Sequence, residues 1–244
     1  MVELASHAFY INMDKDVSRR KHCEKLLKDI GFEIVERIVP IDKNEPVLLN
    51  SEKNCVCSKN TPALKDRKNL SINRPGGKYY HKIHGFKSAT HSHKRIWEHI
   101  LTLDTDKYYF IFEDDVELVP EINRTHFLAQ LNTDIRKISK TKTLSNMMYL
   151  GACLEQIIVN NPDTDYNNIS CWGAHAYVIN KEGIKQIFNN VLCWHQYPDY
   201  ILKSHFNTNI FGHQYYYKYD RGHLGYFFQG RQESWYTNGI AEGV

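Results

Sequence analysis

The opening part of the chain alternates short apolar runs with a stripe of apolar residues at helical spacing. Residues 7–12 form a mostly apolar run of the length of a buried strand, and the polar residues that follow can start a helix. Apolar residues then recur at i, i+3, i+4 and i+7, namely Cys23, Leu26, Leu27 and Ile30. Gly31 stands where such a helix would end, and a second strand fits residues 32–41. The pattern predicts a β-α-β opening.

A long polar stretch separates this opening from the next helix. Residues 42–80 carry prolines and the turn signal of residues 74–77, so we expect a long loop that closes over a bound ligand. From Gly85 the pattern is helical again, with Ser88 or Thr90 as possible caps. The apolar face of this helix comprises Ala89, His93, Ile96, Trp97 and Ile100.

Strands and helices also alternate through the second half of the chain. Strands are predicted over residues 108–112, 147–152 and 172–178. Helices are predicted over residues 125–138 and, after Asn180, over residues 184–192. This order predicts a single α/β domain spanning residues 1–244, with a largely parallel sheet and helices on both faces. Ligands are then expected outside the carboxyl ends of the strands.

Composition narrows the class of protein without identifying it. The 244 residues carry a net charge of +3, and the basic residues are spread along the chain, so nothing calls for nucleic acid. No apolar run approaches the roughly 20 residues of a membrane span, and the N-terminus lacks the pattern of a secretory signal. We expect a cytoplasmic protein. Cys55 and Cys57 could bind a metal, but no second cysteine pair follows at zinc-site spacing.

The strongest chemical signal is a run of carboxylates. Glu113, Asp114 and Asp115 directly follow the apolar strand of residues 108–112. Like charges this close repel each other unless a cation neutralises them. Oxygen donors of this kind suit Mg²⁺ or Mn²⁺, which complete their coordination with phosphate oxygens and water. The alternative is that the three residues only form a solvated turn.

Four segments, taken together, resemble glycosyltransferase family 25. They are residues 9–20 (FYINMDKDVSRR), residues 85–97 with Ser92, His93 and Trp97, residues 111–116 (IFEDDV) and residues 173–183 (GAHAYVINKEG). The resemblance implies a GT-A-like fold, a nucleotide-sugar donor that is commonly UDP-galactose, and inversion at the anomeric carbon. That family contains lipooligosaccharide and collagen galactosyltransferases, so a glycan or glycoprotein acceptor and a role in lipopolysaccharide biosynthesis are implied as well.

The same resemblance assigns roles to individual residues. Glu113, Asp114 and Asp115 would place the metal, Mn²⁺ or Mg²⁺, and the donor diphosphate, with Asp115 as first choice of metal ligand and Asp114 among the catalytic residues. Tyr10, Ile11 and Asn12 would lie near the donor base and ribose. Ser92 and His93 fall on the family's Ser-His pair, and for His93 packing competes with a role in the site.

Other candidate site residues rest on weaker signals. Arg19 and Arg20 could contact the diphosphate, or form a solvated first helical turn. Asp199 is our candidate for the catalytic base, with a helix N-cap as its alternative. By analogy with GT-A enzymes, His223 or His213 would complete the metal site, and His175 could belong to the acceptor cleft. Aromatic candidates for contact with sugar rings are Trp172, Trp194, Trp235 and Tyr215, Tyr216 and Tyr217.

Two other classes of function use similar features. A metal-dependent nucleotidyltransferase or phosphohydrolase could use the same carboxylates, although the sequence has no Gly-rich phosphate loop of the P-loop kind. A noncatalytic glycan-binding protein would keep the fold and lose the chemistry, and the intact run of acidic residues argues against it.

Overall fold

The structure is a computed structural model, and it describes residues 3–41, 78–120, 122–140, 144–156, 167–168, 170–191, 194, 197–206, 209–210 and 223–229. In chain order the elements are β1 (Leu4–Ile11), α1 (Val17–Ile30), β2 (Ile34–Ile38), α2 (Lys78–Thr102), β3 (Tyr108–Glu113), β4 (Val116–Leu118), a 3-10 turn (Arg124–His126), α3 (Phe127–Ser139), β5 (Met147–Gln156), β6 (Asn167–Asn168), β7 (Ser170–Ile179), α4 (Lys181–Asn190), α5 (Pro198–His205), β8 (Asn209–Ile210), β9 (His223–Gly225) and β10 (Phe227–Gln229).

Eight of these strands form one mixed sheet. The order is β2-β1-β3-β7-β5-β8-β6, with β9 paired to β5, while β4 and β10 form a separate two-stranded ribbon. β1 is parallel to both β2 and β3, whereas β7 is antiparallel to β3 and to β5. The predicted α/β class is confirmed and is consistent with a GT-A-like arrangement. The parallel pattern is interrupted by β7, which runs antiparallel to both of its neighbours, so the sheet is mixed.

Helices cover both faces of the sheet, as the sequence pattern predicted. Alternate residues of β1 point to opposite faces, so that Ala8 and Tyr10 join one core while Ala5 and Phe9 join the other. The first core includes buried residues of α1 and α3, and the second includes those of α2, α4 and α5. The sheet is therefore buried on both sides, and its strand ends are left to form a site.

Several predicted boundaries agree with the structure. α1 ends at Gly31, whose φ of 105° is left-handed and whose N–H bonds back to the helix carbonyls. Asn180 caps α4, because its side chain accepts a hydrogen bond from the Gly183 N–H. At α5 the N-cap is Tyr197 and Pro198 follows it, so Asp199 lies inside the first turn. The alternative assignment of Asp199 as an N-cap is therefore wrong.

The start of α2 was predicted too late. The helix begins at Lys78, so Ser88 and Thr90 lie in its interior and cannot cap it. Gly85 was taken as the start, yet a glycine inside a helix costs only about 1 kcal/mol relative to alanine. Residues 78–80 thus belong to α2 and not to the predicted loop. The rest of that loop, residues 42–77, lies outside the described residues, as does the predicted closure over the site.

No helix in the described part of the chain is long and apolar enough to cross a membrane.

Candidate active site

The acidic residues lie where three strands meet at one edge of the sheet. Ile11 at the end of β1 pairs with Glu113 at the end of β3, and β3 pairs in turn with β7. Asp114 and Asp115 form the turn that leads from β3 to β4. The ends of β1 and β3, which the family resemblance assigned separately to the donor, therefore lie side by side in the fold.

Asp114 is buried and holds this edge together. Its Oδ2 accepts a hydrogen bond from the Asn12 side-chain amide at 2.5 Å, and its Oδ1 lies 3.2 Å from the Arg19 guanidinium. Asn12 is itself fixed, since it also donates to the Asp16 carbonyl and accepts from Arg37. Three of the predicted site residues, Asn12, Arg19 and Asp114, thus form one hydrogen-bonded group that joins β1, α1 and the turn.

Glu113 is half-buried and has polar contacts on both oxygens. Gln229 of β10 donates to Oε2 at 3.2 Å, and His93 Nε2 lies 3.7 Å from Oε1. The pKa of the Glu113 carboxyl is raised to about 7. Burial is the main cause and the charge of Asp114 contributes, while Gln229 and Arg19 act in the opposite direction. A proton or a cation is therefore bound easily here near neutral pH.

Asp115 has a buried oxygen that nothing in the described protein satisfies. Its Oδ1 is shielded from solvent and has no hydrogen-bond partner among the described residues. Burial raises the pKa of the Asp115 carboxyl to about 7, with Glu113 adding to the effect and Arg19 opposing it. An unsatisfied buried carboxylate oxygen costs free energy, so this one is suited to receive a ligand with positive charge.

Asp199 of α5 lies near the same group, since the charge of Glu113 acts on its carboxyl. Hydrogen bonding from its own N–H and from the Gly173 N–H of β7 favours the charged form of this carboxyl. Burial raises the pKa of Asp199 to about 6, and the charge of Glu113 adds to the rise, whereas His93 lowers it. A carboxyl with a pKa near the operating pH is suited to general-base catalysis.

His93 lies beneath the carboxylates, fully buried on the inner face of α2. Its Nδ1 is 2.8 Å from the Tyr177 hydroxyl, and the Trp97 indole N–H donates to the same hydroxyl at 3.0 Å. Burial lowers the pKa of His93 to about 4, although the charge of Asp199 favours the protonated form. The imidazole is therefore neutral at physiological pH.

Other predicted site residues lie in packing positions. Tyr10 is buried in the core and its hydroxyl donates to Glu24. Ser92 is buried too and connects α2 to the end of β2, because its hydroxyl accepts from the Ile41 N–H and donates to the Ser88 carbonyl. Ile11 packs against the second core, and Arg20 is half-buried in the first turns of α1.

The remaining candidates lie further from the carboxylates or are described only in part. Trp194 packs between α2 and α4, 5.1 Å from the Phe188 ring centre. His175 is buried, with Nε2 3.5 Å from the Phe227 carbonyl. Of His223 and Trp172 only the main chain is described, and both residues pair with Cys153 of β5 at the edge of the sheet that carries the site. Outside the described residues lie His213, Trp235, Tyr215, Tyr216 and Tyr217.

Two contacts of the site had no signal in the sequence analysis. Gln229 reaches Glu113 from 116 positions away in the chain, and a lone glutamine in a polar tail carries no motif. Tyr177 appeared only within the segment of residues 173–183 that resembles the family, with no role of its own, and its hydroxyl meets His93 because β7 packs against α2. Only the folded chain brings these partners together.

A divalent cation fits the chemistry of this edge. Among the described residues no three His, Cys, Asp or Glu side chains converge as a preformed metal site. Mg²⁺ and Mn²⁺ do not need one, because they are held by one or two carboxylates together with substrate phosphates and water. One Asp115 oxygen is unsatisfied, and burial, with the neighbouring carboxylates, raises the pKa values of Glu113 and Asp115, so a cation here would stabilise their charged forms.

Comparison with known families decides the class of protein. The profile described as glycosyltransferase family 25 (LPS biosynthesis protein) matches residues 5–202. The chain belongs to glycosyltransferase family 25. Membership makes it a glycosyltransferase, whose reaction partners are a sugar donor and a glycan acceptor. The match includes His93, Glu113, Asp115 and Asp199, whereas Gln229 lies beyond it. Comparison with curated proteins found no match.

Proposed function

We propose that this family 25 glycosyltransferase transfers a hexose, with galactose as first candidate, from a UDP-sugar to a hydroxyl group of a glycan or glycoprotein, with inversion and with Mn²⁺ or Mg²⁺. The observation that carries the proposal is that Glu113, at the end of β3, lies close enough to Asp115 and to Asp199 to act on both carboxyls, and that each of the three has a raised pKa. Perturbed carboxyls in one cleft are typical of a catalytic site.

Asp115 and Glu113 are the proposed cation ligands. Asp115 is the stronger candidate because its buried oxygen is unsatisfied, and Glu113 offers an oxygen that Gln229 does not use. When bound, the cation would offset the charge that develops on the departing diphosphate. His223 stays a proposed third ligand, since its main chain lies at the same sheet edge.

Arg19 and Asp114 set the geometry of the turn that presents these ligands. Because both Asp114 oxygens accept hydrogen bonds from Asn12 and Arg19, we assign Asp114 a positioning role. Arg19 also lowers the pKa values of Glu113 and Asp115, which keeps them available as anions. Arg20 remains a proposed contact of the donor diphosphate.

Asp199 is the proposed catalytic base. The acceptor oxygen would form its bond to C1 of the sugar while the bond between C1 and the diphosphate oxygen breaks on the opposite face. Asp199 would take the proton of the acceptor hydroxyl in that step. The Gly173 N–H would help to hold the carboxylate in one orientation during that step.

A donor screen with Mn²⁺ tests the proposal against its rivals. Release of UDP from a UDP-sugar with formation of the opposite anomer would support inverting transfer. Release of pyrophosphate from a nucleoside triphosphate would indicate a nucleotidyltransferase instead. Sugar binding without turnover of any donor would indicate a noncatalytic glycan-binding protein.

Calorimetry tests the need for a cation independently of the transfer reaction. Binding of UDP should weaken strongly in EDTA, because two carboxylates would then face a diphosphate of like charge. Unchanged affinity in EDTA would remove the cation from the reaction while leaving the transferase activity open to the donor screen.

A further inference from the structure

We propose that His93 is a positioning residue for the transfer reaction, in which Trp97 and Tyr177 fix its single proton on Nε2 and this Nε2–H orients Glu113. The inference rests on the proposed function, because Glu113 is given its role there. It concerns a buried network that lies below the proposed ligands and does not itself touch substrate.

The direction of each hydrogen bond follows from which atoms can donate. The Trp97 indole nitrogen is only a donor, so the Tyr177 oxygen must accept at 3.0 Å. In the described part of the chain, the other hydrogen bond of that hydroxyl joins it to His93 Nδ1 at 2.8 Å. If Nδ1 also carried a proton, the Tyr177 oxygen would receive two donors and its own proton would be left without an acceptor. Tyr177 therefore donates to Nδ1, and the imidazole proton lies on Nε2.

The other side of the ring leads independently to the same tautomer. Nε2 faces the Glu113 carboxylate, with Oε1 at 3.7 Å. When Glu113 is deprotonated, a bare Nε2 lone pair would point at negative charge and be repelled, whereas an N–H there is attracted. Tyr177 on one side of the ring and charged Glu113 on the other therefore both place the proton on Nε2.

Because the His93 side chain is completely buried, a substrate cannot contact its Nε2 directly. Among the described residues this Nε2 has no hydrogen-bond partner. Glu113 is partly exposed and can move by the small distance that turns 3.7 Å into a hydrogen bond. Such bonds are often long in a free enzyme and shorten in the reacting complex. His93 thus acts through Glu113.

The network fixes Glu113 from two directions. Gln229 of β10 donates to Oε2, and the buried His93 Nε2–H approaches Oε1 from the protein interior. Once the His93 contact shortens to a hydrogen bond, the two donors would hold the carboxylate in one orientation and leave its other lone pairs for a ligand.

NMR of the free protein tests the tautomer without any substrate. In the ¹⁵N-labelled protein, the long-range ring correlations of His93, assigned by their loss in His93→Gln, should show protonated Nε2 and unprotonated Nδ1. The same signals should change in Tyr177→Phe and stay unchanged in Tyr109→Phe, whose hydroxyl bonds to Thr105 on the same face of the sheet. Protonated Nδ1 in the wild type would overturn the proposal.

Kinetics with UDP-galactose and Mn²⁺ test the positioning role. His93→Leu should lower kcat for UDP release by about 10- to 100-fold, the value of one hydrogen bond to a charged group. His93→Gln places an amide N–H near the position of Nε2 and should recover most of that loss, while His99→Gln on the same helix should have no effect. Equal rates for His93→Leu and the wild type, or no recovery in His93→Gln, would overturn the role of Nε2–H.

The two proposals fail in different ways. If the wild type releases no UDP from any UDP-sugar, the proposed function is wrong, and the NMR result still decides the tautomer. If the wild type is active and Tyr177→Phe and His93→Leu are equally active, the function stands and the positioning role of His93 is wrong.

Discussion

At the residue scale, the Asp199 carboxyl is buried, although its proposed role as the catalytic base requires the charged form. We predict that Asp199→Asn lowers kcat by at least about 100-fold, the usual contribution of a general base. Folding should be kept, because the amide removes a charge that burial disfavours. Steady-state rates of UDP release and the melting temperature measure the two effects.

A matched control exists on the preceding helix. Glu182 occupies the same second position of α4 that Asp199 occupies in α5, but its side chain is exposed. Glu182→Gln should therefore change neither rate nor melting temperature by much. A comparable loss of rate in both variants would attribute the effect to the helix N-terminus and not to a base.

The pH profile of the wild type is a second test of Asp199. Its pKa is raised to about 6, so the protonated, inactive form predominates below that pH. We predict that kcat/KM rises with pH and reaches half its maximum near pH 6. Burial is the largest cause of the shift and persists when a cation neutralises Glu113. An acid limb near the ordinary aspartate value of about 3.9 would exclude Asp199 as the base.

Asp115 provides the third test at this scale. Asp115→Asn should abolish transfer, because the proposed cation loses its main ligand, and should not lower the melting temperature of the metal-free protein at neutral pH. The reason is that burial and Glu113 already disfavour the charged carboxylate. A variant that turns over the donor at the wild-type rate would show that Asp115 is not the principal ligand.

At the scale of elements, the β9-β10 segment carries Gln229 to Glu113. Gly225 pairs with Gly151 of β5 and has a φ of 108°. The Tyr226 hydroxyl donates to Asp134 of α3, and the Tyr226 carbonyl accepts from the Val119 N–H. Because a Cβ at Gly225 would meet the Leu150 carbonyl, this position admits no larger residue without a shift of the segment.

Two glycines with nearly the same positive φ, Gly31 and Gly225, make a controlled comparison. Gly31 has a φ of 105°, but a Cβ there would only meet Leu128 at 3.8 Å. Gly31→Ala should lower the free energy of unfolding by about 1–2 kcal/mol through backbone strain alone. Gly225→Ala adds the close contact and should cost about 1–3 kcal/mol more.

Urea denaturation measures these free energies, and the rate of UDP release reports on the site. Gly225→Ala should also reduce that rate, because it displaces Gln229 from Glu113, whereas Gly31→Ala should not. Equal stability losses in the two variants would mean that the β9-β10 segment relaxes without cost.

Sequence periodicity predicted best the elements whose buried face and ends are determined by their own residues. α1 is an example, since Cys23, Leu26, Leu27 and Ile30 are all buried and Gly31 ends the helix as expected. The start of α2 was missed because Gly85 was taken as its boundary, whereas a glycine is tolerated inside a long helix. The reversal at β7 was missed because alternation within a strand is the same in either direction.

In the site, residues that stand together in one segment were predicted, whereas contacts between distant segments were not. Glu113 and Asp115 were found because three acids in a row after a strand are visible in the sequence. The Asn12 contact with Asp114 was not predicted, although both residues were, because pairing of strand ends determines it. The contact of Gln229 with Glu113 depends on a tail that returns across the sheet, which no periodicity encodes.

At the scale of the whole molecule, the proposed site makes stability depend on pH. Folding raises the pKa of Glu113 from 4.5 to about 7 and that of Asp115 from 3.8 to about 7. The folded state therefore binds more protons than the unfolded state across this window, and these groups lower stability as the pH rises through it. His93 has the opposite effect below pH 6.5, because folding lowers its pKa.

We predict that Mn²⁺ raises the melting temperature more at pH 8 than at pH 5.5, since protons compete for the same oxygens at low pH. Thermal melts in EDTA and in Mn²⁺ at the two pH values measure the difference. Asp115→Asn is the control and should lose most of the gain at pH 8. A gain of the same size in that variant would locate the cation elsewhere.

The reversed strand β7 has a consequence for how the site tolerates mutation. Its starting end lies beside the carboxyl ends of β1 and β3, and so it presents a main-chain N–H, that of Gly173, to Asp199. A main-chain donor cannot be deleted by changing a side chain. With a φ of 127°, however, position 173 favours glycine whatever its neighbours are. Substitutions there act on the backbone path itself, so they would shift the main-chain N–H beside Asp199 even though no side chain of the site is changed.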